Sequence, residues 1–352
     1  MTTANSASAS LHSRSRLDIL DVLRGLAALA VCLFHLQGEH LSRWPLIGTL
    51  FSHGYLGVYA FFVISGYVIP LSLHGKIVSG IEYRHFLHRR FLRLYPVYVV
   101  AVIFTVALWY GSSWVPGFQG NAPSISPFDY LVNFTLTAGV ANQPWILVVS
   151  WTLAIEAQFY VLIGLSIPLF RHQTFVVRYA TLLAWAFMAF VSPDIEWVTS
   201  YGPIFGLGIA LYMRSKSLLG RSALGGYILI AFLIQTRNLG WSVVTETEAW
   251  SSINLTSYLV SVVTMLAIVI AKDFRSAILV NVGHISYSLY LVHVPIGGRV
   301  VNLSHRLGNA WWIELLAMIT AIAFSMAVAQ LFYRFIEAPS HRWARAVRVS
   351  ER

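Results

Sequence analysis

The sequence predicts an all-α protein, a polytopic integral membrane helical bundle of about ten transmembrane helices with both termini cytoplasmic. Three observations carry that prediction. First, 57% of the 352 residues are hydrophobic and only 11% are charged, against roughly 25% charged in an ordinary soluble domain, so a soluble body would have little to cover its surface with. Second, apolar stretches able to cross a hydrocarbon core of roughly 30 Å recur along the chain. They fall near 17–37, 53–72, 92–110, 145–170, 175–191, 200–213, 224–236, 256–271, 278–296 and 311–333. Third, with the N-terminus cytoplasmic, 19 of the 24 Lys and Arg residues fall in cytoplasmic tails, loops and helix ends. Only Arg43, Arg237, Arg299 and Arg306 fall on the other side, and Arg24 lies within the first helix. A count wrong by one span would scramble that asymmetry downstream of the error.

The net charge of +10 does not indicate a nucleic-acid partner, because the charges lie between apolar runs and not on one basic face. A single cysteine, Cys32, sits in an apolar stretch, which excludes an intrachain disulfide and a thiolate metal cluster. The sequence holds no internal repeat, Walker sequence or GxGxxG pattern, so an ATPase or a nicotinamide enzyme has no support.

Residues 1–16 are small and polar and read as a disordered cytoplasmic tail; no signal-peptide cleavage pattern follows the first apolar run, which stays a helix. That helix carries Asp21, Arg24 and His35. Arg24 and His35 are eleven residues apart, three turns plus about 20°, so they share a face at an axial separation of roughly 16 Å. Asp21 lies three residues before Arg24, close enough to partner it. The group is either a helix-stabilising ion pair with an incidental histidine or a polar stripe facing a cavity, since charge inside a bilayer is costly unless paired or hydrated.

The second helix runs through Gly57, Phe61-Phe62-Val63-Ile64-Ser65-Gly66-Tyr67, where small residues let backbones approach closely. His88-Arg89-Arg90-Phe91-Leu92-Arg93 follows on the cytoplasmic side, either as a topology anchor or as a phosphate clamp of guanidinium forks. The outer loops 38–52, 111–144, 237–255 and 297–310 are rich in Trp, Tyr, Ser, Asn and Pro, and 111–144 is long enough to cover part of an outward-facing cavity. Trp114, Trp145, Trp197, Trp241, Trp250, Trp311 and Trp312 lie near outer helix ends, the position of an aromatic belt.

The fourth helix contains Trp151-Thr152-Leu153-Ala154-Ile155-Glu156, and a carboxyl group near mid-membrane must be protonated, paired or hydrated. The stretches at 200–213 and 224–236 are short for spanning helices. The ninth helix places His293 near the outer face after Ser286, Ser288 and Tyr290. The last helix closes at Arg334-Phe335-Ile336-Glu337-Ala338-Pro339, and 341–352 reads as a basic cytoplasmic tail. Two histidines, His35 and His293, without a third ligand make a poor metal site. A histidine is instead suited to take a proton from an attacking hydroxyl, which suggests a phosphorylated donor from inside and an acceptor from outside.

Together these segments resemble the acyltransferase 3 family, membrane-bound O-acyltransferases of surface polysaccharides, lipopolysaccharide, Nod factors and macrolides. Five blocks match in order. They are Leu17 to Gly25 with His35; Gly57-Val58 with Phe61 to Tyr67; Arg90 to Pro96; Trp151 to Glu156 with Phe159-Tyr160; and Ile285 to His293 followed by Phe335 to Pro339. The resemblance covers residues 17 to about 340 and implies a membrane domain over 17–340. It implies that Arg24 and His35 are essential, that Ser65, Arg90, Arg93 and Glu156 match family positions, and that acyl-CoA is the donor, with no metal. It implies a hydroxyl of a saccharide or glycoside as acceptor and the bacterial cytoplasmic (inner) membrane as the multi-pass location, in contact with lipid. Some relatives add an extracytoplasmic hydrolase-like domain; this sequence stops soon after Pro339, so transfer is expected to finish in the membrane domain.

The resulting expectation has His35, Arg24, Glu156 and Asp21 as the catalytic group, with His35 as general base. Arg90, Arg93, Arg89, Ser65 and Tyr67 form the donor side. His293, Trp151 and Tyr290 face the acceptor. Acetyl is the favoured acyl group, and oligomeric state leaves no mark on the sequence. The rival reading is a transporter or flippase of a polar or lipid-linked substrate using Asp21, Arg24 and Glu156 as an intramembrane path, which would call for repeated halves or paired broken helices.

Overall fold

A computed structural model describes residues 2–37, 44–75, 79–116, 123–191, 196–236, 255–308 and 310–347, with the side chains of 2–17 and 45 outside that description. Trp241 and Trp250, Arg43, Lys76, Arg237, Arg348 and Arg352 lie outside the described residues. Among the described residues every regular element is helical.

The helices are α1 (Thr2–Leu36), α2 (Pro45–Ser52), α3 (Gly57–Leu73), α4 (Gly80–Ser113), α5 (Pro127–Phe134), α6 (Ser150–Phe170) and α7 (Phe175–Phe187). They continue with α8 (Gly202–Ser215), α9 (Arg221–Thr236), α10 (Leu255–Ile270), α11 (Ala277–His284), α12 (Ser286–Ser304), α13 (Trp311–Phe332) and α14 (Ala338–Ala346). A π-helical turn, Tyr333–Glu337, joins the last two. Among the described residues five helical stretches are long and apolar enough to cross a membrane, six if the bent pair α11 and α12 is one span. The chain is a multi-pass membrane protein, and its apolar side chains are disposed accordingly: Leu165, Val263 and Ile319 on α6, α10 and α13 are all more than half exposed, a distribution that suits lipid contact and would be a liability in water.

Three features of these helices lie beyond the sequence reading. Helix α1 starts at Thr2, within the stretch read as a tail. Residues of the closing tail are helical through Ala346. The stretch 278–296 is broken at Ile285, whose backbone leaves the helical repeat with φ −96° and ψ 5°.

The chain divides into two compact units. Unit 1 comprises residues 1–31, 53–79 and 161–286. Its centre is α8, buried at every position from Gly202 to Met213. At 14 residues this helix is only about 21 Å long, shorter than the hydrocarbon core, and it is enclosed by protein. The contact of α3 with α8 runs through reciprocal glycines. A methyl group on Gly66 would stand 2.2 Å from the Phe205 carbonyl oxygen, and one on Gly208 2.2 Å from that of Val63. Gly57 sits equally tightly on the Ala27 carbonyl of α1, and Gly283 of α11 on that of Asp21. The close backbone approach expected of Gly57 and Gly66 is therefore observed.

Unit 2 comprises residues 32–52, 80–160 and 287–352. Here α14 lies along the first turns of α4: Arg89 donates from Nε and Nη2 to the Val347 carbonyl at 3.0 and 2.6 Å, and Arg93 Nε donates to His341 Nε2 at 3.2 Å. The segment between α4 and α6 is organised around Asn133, which is fully buried. Its Nδ2 donates to the Asp129 and Pro144 carbonyls and its Oδ1 accepts from the Ile146 N–H, while the Tyr98 hydroxyl donates to its main-chain carbonyl at 2.7 Å. A capping box between Ser126 and Asp129 starts α5, satisfying two donors that a helix N-terminus otherwise leaves open.

Candidate active site

His35 stands one residue before the end of α1 and is exposed, whereas His293, in the middle of α12, is fully buried. Their rings meet within unit 2: His293 Nε2 lies 3.2 Å from His35 Nδ1, with ring centroids 5.1 Å apart. The tautomers follow from the partners. His293 Nδ1 faces the Leu289 carbonyl at 3.1 Å, an acceptor only, so that nitrogen carries the hydrogen and Nε2 keeps its lone pair. His35 then donates from Nδ1 to His293 Nε2, and the basic lone pair of His35 resides on Nε2. A carbonyl–His–His relay thus holds one imidazole in the protonation state a general base needs.

Tyr290 adjoins this pair, its ring centroid 5.9 Å from that of His293. The Thr152 hydroxyl donates to the Val149 carbonyl at 3.0 Å. The Tyr290 hydroxyl, 2.8 Å away, therefore donates to Thr152 Oγ1, tying α12 to α6. Trp151 is half-buried at the start of α6. Glu156, also half-buried, accepts a hydrogen bond from the hydroxyl of Tyr160, one turn further on. The Arg90 guanidinium lies 5.3 Å from the Tyr160 ring centroid and 5.6 Å from that of Phe86, inside cation–π range.

A second chain of polar groups lies in unit 2. Ser288 Oγ donates to Glu337 Oε2 at 2.6 Å, Glu337 Oε1 is 3.6 Å from His341 Nε2, and Arg93 reaches the same nitrogen. Ser288 and His293 are five residues apart on α12, about 7.5 Å of helical rise.

The remaining expected site residues belong to unit 1. Arg24 pairs with Asp21 at 3.8 Å, and His284 Nε2 lies 3.4 Å from the other Asp21 oxygen. Ser65 and Tyr67 are buried in α3, Tyr67 completely. Among the described residues no group of three or more His, Cys, Asp or Glu side chains is placed to hold a metal ion.

Several partners escaped the sequence reading. Tyr160 stands four residues after Glu156, a spacing that puts two side chains on one helix face and was visible. Thr152, Glu337 with Ser288, His341 and His284 had no such local signal. His293, expected at the acceptor, is enclosed as the partner of His35.

Comparison with known proteins bears on this arrangement. A family model described as an acyltransferase domain matches residues 17–334. The curated relatives include the O-acetyltransferase OatA of Staphylococcus aureus strains NCTC 8325, COL and MRSA252, each 27% identical over 372 aligned positions that cover 94% of this chain. The match spans 58% of the length of those relatives. No solved structure matches the chain.

Proposed function

The chain belongs to the acyltransferase 3 family, and on that footing we propose that it moves an acyl group, with acetyl favoured, from acyl-CoA to a hydroxyl of a glycan or glycoside at the outer face of a bacterial inner membrane. The observation that carries the reading is the His35–His293 pair, in which one exposed imidazole is held with its basic nitrogen defined by a buried second one. His35 Nε2 takes the proton of the acceptor hydroxyl as the oxygen attacks the thioester carbonyl. The carbon–sulfur bond then breaks, and the leaving thiolate recovers the proton from the imidazolium. Arg90 and Arg93 belong to the cytoplasmic, donor end of unit 2, and Glu156, through Tyr160, steadies Arg90. Arg24 is partnered by Asp21. The name of the relatives, O-acetyltransferase, agrees with this chemistry.

The test is purified protein in detergent with labelled acetyl-CoA and candidate glycans. Wild type should label the glycan, and His35→Gln should lower turnover by about 10²- to 10⁴-fold while retaining CoA binding. Turnover retained by His35→Gln would remove the assignment. One observation favours a second reading, transport of a polar or lipid-linked substrate: the break at Ile285 between α11 and α12, since discontinuous helices build transporter sites. Glycan uptake into proteoliposomes without acyl transfer would favour it.

A further inference from the structure

The guanidinium groups read from the sequence as a phosphate clamp are engaged within the protein. Arg89 spends two donors on the Val347 carbonyl, Arg93 donates to His341, and Arg90 lies against two aromatic rings. What Arg89 and Arg93 do is hold α14 against α4. Next to that seam, on the π-helical turn and α14, an open cavity of about 420 Å³ is lined by Arg334, His341, Arg342 and Arg345 together with Gln330 and Tyr333. Its size falls within the roughly 300–1,000 Å³ typical of small-molecule sites. Arg334, Arg342 and Arg345 are exposed, and among the described residues none of the three is paired with a carboxylate. The π-helical turn adds one residue per turn to an otherwise continuous helix, and such turns concentrate at functional sites. Here it puts Arg334 on the same cavity as two arginines of the next helix.

We propose that this cavity receives the phosphorylated nucleotide end of the acyl donor, with Arg334, Arg342 and Arg345 as its phosphate ligands and Arg89 and Arg93 as positioning residues behind them. Three guanidinium forks around an open cavity match a ligand with several phosphoryl groups, and Tyr333 offers a ring for a base to stack on. The assignment rests on the acyl-CoA reading above and places the donor's phosphates one layer away from the clamp that the sequence suggested. His341 links the two layers, lining the cavity on one side and accepting from Arg93.

The experiment compares acetyl-CoA with S-acetylpantetheine, which carries the same thioester and lacks the nucleotide, as donors for full-length wild type, Arg342→Gln/Arg345→Gln and Arg334→Gln. Wild type should prefer acetyl-CoA, and the double variant should raise its KM for acetyl-CoA by about tenfold or more, the loss of one to two charge-assisted hydrogen bonds. The advantage over S-acetylpantetheine should shrink in step, and Arg342→Lys/Arg345→Lys should recover part of it. Adenosine 3′,5′-bisphosphate should inhibit wild type and lose potency on the Gln variants. Unchanged KM in folded variants, judged by melting temperature, would overturn the cavity assignment and leave the acyltransferase reading standing. Lost retention of anionic-lipid vesicles with unchanged KM would also overturn it, making the cavity a headgroup site. Wild type that uses neither thioester would sink the parent reading itself.

Discussion

At the scale of single residues, His293 shows how a role is set by what encloses a side chain. Placed on its helix by sequence alone, it faces the outer end of the membrane and reads as an acceptor contact. In the structure it is fully buried, donates to a carbonyl within its own helix and accepts from His35. In the proposed reaction its value is to fix the tautomer of another residue. Replacing it with Phe removes the acceptor for His35 Nδ1–H, so kcat should fall by about 10²-fold with the KM for both substrates little changed. Gln can still accept that hydrogen bond, so His293→Gln should keep more of kcat than His293→Phe. Equal loss in the two variants, measured as initial rates of glycan acetylation, would remove the tautomer role. Residues whose partners are local were easier to read. Asp21 and Arg24, three apart, form the expected ion pair; Glu156 with Tyr160, a pair the sequence reading passed over, follows the same helical logic. His35 and His293 are separated by 258 positions, and no periodicity reports a contact of that kind.

At the scale of elements, length decides what a helix can do. Helix α8, at 14 residues, is too short to span a bilayer unaided, and its glycines let it pack into the interior of unit 1. Gly66 and Gly208 each leave room for a carbonyl of the other helix where a methyl group would stand 2.2 Å from it. Gly66→Ala should therefore force α3 and α8 apart and destabilise the protein by ~1–3 kcal/mol, the cost of overpacking a close-packed interior. A lowered melting temperature in detergent is the expected result, and no change would show that the pair can separate without loss. The hydrophobic runs located the helices well, because burying or solvating backbone groups in lipid leaves little choice but helix. The break at Ile285 and the π-helical turn at Tyr333–Glu337 left no comparable trace. Both depend on partners elsewhere in the chain: Gly283 against α1, and Glu337 bonded to Ser288.

At the scale of the whole molecule, the topology can be tested through α4. Gly80 and Gly111 lie near opposite ends of this 34-residue helix, a length of about 50 Å. Both are exposed, and neither would crowd a neighbour if given a side chain. The one native cysteine, Cys32, is fully buried, so added cysteines can be labelled against little background. With cytoplasmic termini and the helix order read from the sequence, Gly80→Cys should react with an impermeant thiol reagent only from the inside. Gly111→Cys should react only from the outside. The reverse pattern would invert the topology, and labelling of both from one side would mean that α4 does not cross.

The sequence by itself determined that the chain is helical and membrane-embedded, where its apolar runs lie, and which ionisable residues sit inside them. Those properties follow from composition and from contacts within one helix, which hydrocarbon and helical geometry dictate locally. Only the tertiary structure decided that His35 meets a buried His293, that Arg89 and Arg93 bond to the closing helix, and that three further arginines open onto a cavity. The first two depend on which helix packs beside which, settled by close packing between segments more than a hundred residues apart in the chain, and the third on the π-helical turn that brings Arg334 onto the cavity of Arg342 and Arg345.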